Sequence, residues 1–123
     1  MEYKYVFPGI PPSNNKFIGR RNSWEYRKVK QEWEQLIFFN CRRHLPPKPI
    51  AIAEITIDYY FPDRRRRDPD NYSGKMLLDG LRKAGVIEDD SFNNIPEIHY
   101  RQYCSKEVPR TVVTVKEYTE RID

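Results

Sequence analysis

Ala51-Ile52-Ala53-Glu54-Ile55-Thr56-Ile57-Asp58-Tyr59-Tyr60-Phe61 decides the fold, because its odd positions are apolar or aromatic throughout while Glu54, Thr56 and Asp58 hold the even side. Alternation with period two predicts a strand over residues 51–61 with one face buried. Pro62 stops it. Beyond lie Arg64-Arg65-Arg66-Arg67 and Asp68-Pro69-Asp70-Asn71; the proline biases Asp68 to an extended conformation, so no helix begins there. A helix is expected over roughly 72–84, with Met76, Leu77, Leu81 and Ala84 on one side and Gly85 as its stop. Glu88-Asp89-Asp90-Ser91 then reads as an acidic turn.

Working outward, Tyr3, Tyr5 and Phe7 alternate with Glu2, Lys4 and Val6, a short strand over residues 2–7 that Pro8 and Gly9 end. Pro11-Pro12-Ser13-Asn14-Asn15 and Gly19-Arg20-Arg21-Asn22 are rich in breakers and hydrogen-bonding side chains, the marks of an ordered loop. Asn22 can cap a helix and Glu25 can reciprocate. Tyr26, Val29, Trp33, Leu36 and Asn40 or Cys41 then recur at steps of three and four, which predicts an amphipathic helix over roughly 23–44 before Pro46-Pro47. Phe38 or Phe39 is left outward, at a subunit contact. Two more strands, roughly 97–104 and 110–118 with Val113 and Val115 inward, complete a β-α-β-α-β-β order. The expected fold is α+β: one small domain over residues 1–123, a mixed sheet with helices packed on it.

The 123 residues suffice for one core and no second catalytic domain. Nine tyrosines, six phenylalanines and two tryptophans argue against a disordered chain despite the charged fraction of 33%. Charge is unevenly spread. Residues 1–67 carry a net +7 and residues 68–123 a net −3, so a polyanion-attracting region adjoins a cluster of carboxylates suited to a hard cation. Cys41 and Cys104, without CxxC or neighbouring histidine, fit neither a disulfide framework nor a zinc site and read as buried thiols in a reducing compartment. No apolar run approaches the roughly 18 residues of a membrane span, and no signal core opens the chain. A cytoplasmic protein with no membrane partner is expected.

The chemistry centres on Asp68, Asp70, Lys75 and Asp79, with Asp89-Asp90 beyond the helix. If both Asp68 and Asp70 are extended, their carboxylates point alike and need a cation. Mg²⁺ suits oxygen ligands, and Asp90 can supply a third carboxylate. Such an ion lowers the pKa of a bound water and stabilises a leaving oxygen, while Lys75 offsets charge in the transition state. The bland alternative is a capping turn with an ordinary Lys75–Asp79 helix pair. Arg64, Arg65, Arg66 and Arg67, beside the acidic cluster, read as a phosphate contact strip. Asn14 and Asn15 have turn formation as a competing explanation for phosphate contact. Tyr26 and Trp33 belong to the core before they belong to any base-stacking surface, and isolated His44 and His99 have no partner at catalytic spacing.

Taken together, these segments resemble the RusA-type Holliday-junction resolvases, small bacterial and phage endonucleases. Pro11-Pro12-Ser13-Asn14-Asn15 resembles the family's PPSNN loop, and Asp63 through Asn71 resembles its arginine-run-DxDN signature. Lys75, Asp79-Gly80-Leu81, Lys83-Ala84-Gly85 and Asp89-Asp90 follow in the family's order. The resemblance implies a Mg²⁺-dependent homodimer, with Mn²⁺ as a substitute, that binds branched DNA and nicks opposed strands of a four-way junction in recombination and repair. It assigns the metal to Asp68, Asp70 and Asp90 and catalysis to these and Lys75; DNA contacts are expected, on charge and hydrogen-bonding chemistry, from Asn14, Asn15, Lys16 and the four arginines. One departure stands out: the gap before Lys75 is one residue longer than in the best-known member, with Gly74 as the insertion. Two alternatives follow, a non-cleaving branched-DNA-binding accessory protein with the same fold, and a less selective nuclease of flaps and forks.

Overall fold

The computed structural model describes residues 1–17, 19 and 23–119. Six elements build it: β1 (Glu2–Pro8), α1 (Trp24–Cys41), β2 (Ala53–Phe61), α2 (Lys75–Ala84), β3 (Glu97–Cys104) and β4 (Arg110–Glu117), with short 3₁₀ turns at Asn14–Phe17 and Pro69–Asn71. The strands form one sheet in the order β1-β4-β2-β3. β4 pairs antiparallel with both β1 and β2, whereas β2 pairs parallel with β3. Parallel neighbours need a crossover, and α2 supplies it.

Both helices pack on one face of the sheet. Tyr3, Tyr5 and Phe7 of β1, Ile55, Ile57, Tyr59 and Phe61 of β2, and Val113 and Val115 of β4 are buried there with Ile37, Cys41, Leu77 and Leu81. The helices meet at Gly80, where a Cβ would collide with Ile37 Cδ1, so the residue's lack of a side chain sets their approach. Lys83 Nζ adds an ion pair to Glu34 Oε1 at 2.6 Å.

Several boundaries differ from expectation. Ser23, not Asn22, caps α1 by accepting the Tyr26 N–H at 3.2 Å; Asn22 lies outside the described residues. The helix ends at Cys41 instead of 44, and its fully buried positions are Ile37 and Cys41, one turn apart, with Trp33 and Leu36 half-buried beside them. Phe38 and Phe39 are both exposed. α2 starts at Lys75 instead of 72, because the Pro69–Asn71 turn and a left-handed Gly74 intervene. Nor is β2 polar and open on its even side. Asp58 is only 4% exposed, since β2 is an inner strand and Arg101 of neighbouring β3 folds over it, with Nε–Oδ1 at 2.6 Å and Nη2–Oδ2 at 3.1 Å. Cys104, expected to be buried, is exposed on edge strand β3, while Cys41 is buried and free.

Candidate active site

The turn that follows β2 is organised by one carboxylate. Asp63 Oδ1 accepts the Arg65 N–H at 3.0 Å and Arg67 Nη2 at 2.8 Å. The backbone N–H of Arg65, then the Arg67 guanidinium, hold the Asp63 carboxyl below the usual carboxylate range. Arg67 turns inward: it donates to the Asp63 and Arg65 carbonyls, and its guanidinium lies 4.1 Å over the Phe61 ring. Its side chain is 12% exposed, against 79% for Arg65 and 89% for Arg66. The arginine run therefore divides into Arg64, Arg65 and Arg66, which face solvent, and Arg67, which fastens the loop.

Asp68 has φ −98° and ψ 135°, the extended conformation that a following proline imposes. Asp70 differs from expectation. Pro69, whose fixed φ suits a first turn position, starts a 3₁₀ turn through Asn71, with the Asn71 N–H donating to the Asp68 carbonyl at 3.0 Å. The shared direction expected of two extended residues thus does not apply. Arg66 Nε lies 3.3 Å from Asp68 Oδ1, and Asp70 is exposed. Asn14 Nδ2 donates to the Asp70 carbonyl at 2.9 Å and lies 3.1 Å from Ser73 Oγ, so the N-terminal loop is tied to the acidic turn across 56 residues of chain. Asn14 positions the turn; Asn15 and Lys16 beside it are exposed.

The floor beneath is aromatic. Tyr59 OH donates to the Tyr72 carbonyl at 2.9 Å and Tyr100 OH to the Ser73 carbonyl at 2.7 Å. Burial raises the pKa of both hydroxyls, which keeps them as donors. Above this floor Gly74 adopts φ 78°, and a Cβ there would sit 2.7 Å from Ile57 Cδ1. Only glycine meets both conditions without strain. Gly74 is thus the pivot that launches α2, and it sets Lys75, exposed, as the helix's first residue. No Lys75–Asp79 ion pair forms. A cleft lined by Asn14, Phe17, Tyr26, Tyr59, Gly74 and Lys75 opens beside the turn.

Asp90 lies elsewhere. Asp89 Oδ1 accepts its N–H at 2.8 Å, in a loop whose Glu88 N–H donates to the Ile50 carbonyl and whose Asn94 carbonyl accepts the Ala53 N–H. That is the start of β2, whereas Asp68 borders Tyr59 and Phe61 near its end. Tyr59 lies six residue steps along the strand from Ala53, about 20 Å at the usual rise. One chain brings Asp68 and Asp70 into one turn and leaves Asp90 at the opposite end of the β2–β3 pair. Among the described residues, three metal-ligating side chains gather within 4.8 Å at Glu54, Glu97 and His99, on the face of the sheet away from the helices. The parallel register of β2 and β3, which assembles that group, has no local signal in the sequence.

An acidic turn, a lysine at the first position of a helix and outward arginines on a small α+β sheet are groups whose chemistry suits contact with phosphodiesters. No family model matches the chain. Over 94 residues, 72% of its length, it is 38% identical to the crossover junction endodeoxyribonuclease rusA of Enterobacteria phage HK97, of which the match covers 74%. The chain belongs to the RusA family of crossover-junction endodeoxyribonucleases and is an endonuclease.

Proposed function

We propose that the chain is a Mg²⁺-dependent Holliday-junction resolvase of DNA recombination and repair, a homodimer whose endonuclease domain is residues 1–123. The observation that carries this reading is the Asp68–Asn71 turn, where two carboxylates stand two residues apart beside Lys75, within a chain 38% identical to a crossover junction endodeoxyribonuclease. The donor set fits: Asp68 and Asp70 offer hard oxygens on a turn open to solvent, and Mg²⁺ is usually held by one or two carboxylates with water and substrate phosphate. Bound there, the ion supplies a water of lowered pKa and offsets charge on the scissile phosphate.

The chain's own groups do the rest. Lys75 Nζ, free of Asp79, offsets charge on the phosphate oxygens as the bond to the leaving oxygen lengthens. Arg64, Arg65, Arg66 and Lys16 neutralise flanking phosphates and Asn15 hydrogen-bonds to them. Asn14 holds the turn that carries Asp70. Asp90 stands at the far end of β2 from the Asp68–Asp70 turn of its own chain, so it can serve as a third ligand only from a second copy of the chain. A two-fold dimer also matches the approximate two-fold symmetry of a four-way junction and sets one site on each opposed strand.

The test is incubation of a labelled four-way junction and a matched linear duplex with the protein, in Mg²⁺ or EDTA, beside Asp70→Asn. Symmetric nicks in the junction alone, requiring Mg²⁺ and absent with Asp70→Asn while junction binding persists, are expected. Tight junction binding without product in any condition would overturn the reading in favour of a non-cleaving accessory protein. Equal cutting of flaps and forks would make it a less selective nuclease.

A further inference from the structure

We infer that the open face of the sheet carries a metal site of its own, in which Glu54, Glu97 and His99 hold a transition-metal dication of the Zn²⁺ class. β2 and β3 run parallel in a register that sets Glu54 beside Glu97, and His99, two residues on, shares their face. One ligand atom from each lies within 4.8 Å of the others, and His99 Nε2 is 3.1 Å from Glu54 Oε1. The face is the one opposite α1 and α2, so the group is independent of Asp68 and Asp70.

Three features favour a cation. Like charges on adjacent strands at one level repel and lower the stability of the pairing. Glu97 forms no ion pair among the described residues, and Glu54 has only His99. The positive groups sharing this face are Lys4 on β1, Lys116 in register with Glu54 on β4, Arg101, which Asp58 already engages, and Arg110, which lies over the Tyr60 ring. Among the described residues none of them forms an ion pair with either glutamate. A donor set of two carboxylate oxygens and one imidazole nitrogen also selects the metal: imidazole suits Zn²⁺ and its transition-metal neighbours, whereas Mg²⁺ keeps to oxygen and water.

Zinc bonds of about 2.0–2.2 Å place tetrahedral ligands about 3.4 Å apart. The His99–Glu54 pair already stands at that spacing, and a modest swing of the Glu97 side chain completes it. An open groove along Glu54, Thr56, His99 and Arg101 leaves room for water in the remaining position. Because β3 is an edge strand, an ion here would pin that edge to inner strand β2.

The experiment titrates the full chain with Zn²⁺ while excess Mg²⁺ occupies any hard-oxygen site. Binding is followed by calorimetry and by the imidazole resonances of the chain's two histidines. Expected are one equivalent of Zn²⁺ per chain, a shift of the His99 signals with His44 unmoved, and a loss of affinity of roughly tenfold or more in both Glu97→Gln and His99→Ala. Asp70→Asn should bind Zn²⁺ as the parent does. No binding by the parent, a shift at His44 alone, unchanged affinity in Glu97→Gln, or loss in Asp70→Asn would each overturn the site. Glu97→Gln is isosteric and half-exposed, so it keeps the test open should His99→Ala fold poorly.

Discussion

Asn14 donates from Nδ2 to the backbone carbonyl of Asp70 at 2.9 Å, and this bond joins the N-terminal proline-rich loop to the acidic turn. The contact is to backbone, so its role is to fix where the Asp70 carboxylate stands. Asn14→Ala is therefore expected to lower the rate of junction cleavage by about 10- to 100-fold, the scale of a misplacement near 1 Å at a reacting centre. Affinity for the junction should stay within a few-fold. Single-turnover cleavage beside a gel-shift titration separates the two; equal losses in both would assign Asn14 to DNA contact.

Gly74 is the structural reason that α2 begins where it does. Its left-handed φ and the 2.7 Å approach that a Cβ would make to Ile57 act together. Gly74→Ala should cost about 1–3 kcal/mol, read as a lower urea midpoint with unchanged slope. Cleavage should fall further than the unfolded fraction explains, because Lys75 shifts with the helix start. Deletion of the residue should be worse, since no neighbour can take up the positive φ.

The four arginines predict opposite outcomes for chemically identical changes. Arg65→Ala and Arg66→Ala, both outward, should weaken junction binding and reduce the slope of log affinity against log salt by about 1 each, with no loss of stability. Arg67→Ala removes the hydrogen bonds that close the loop on Asp63 and the stack on Phe61. It should lower the urea midpoint and leave the salt slope close to that of the parent. Binding titrations at several salt concentrations, with denaturation of each variant, decide the matter.

What sequence could convey follows from the range of the forces involved. Alternation in residues 2–7 and 51–61 and the step pattern of the helices are local, so the elements were legible. Helix starts were less so, because Ser23 and Gly74 act through a cap and a φ angle that composition only suggests. The division within the arginine run was hidden, since nothing in four identical residues marks Arg67 as the one that bonds Asp63 and lies over Phe61. Strand order was hidden too, and with it the Asp58–Arg101 pair, the Glu54–Glu97–His99 group and the distance between Asp90 and the other aspartates. All of these depend on β3 returning parallel to β2, which no run of residues announces.

Cys41 provides a titration that involves no DNA. Burial in the core pushes its thiol up to about 12, whereas an unfolded cysteine ionises near 8.5. A group whose folded pKa is raised contributes stability that is present below the unfolded value and lost as pH climbs toward the folded one. Folding stability should therefore fall as pH rises from about 8.5 toward 12, and Cys41→Ala should flatten that part of the profile, at a cost at neutral pH of its own from the lost packing. Thiol labelling gives an independent reading at pH 8: exposed Cys104 should react at once and Cys41 only when the chain is unfolded. Rapid labelling of both in the native protein, or an unchanged alkaline slope in Cys41→Ala, would place Cys41 outside the core.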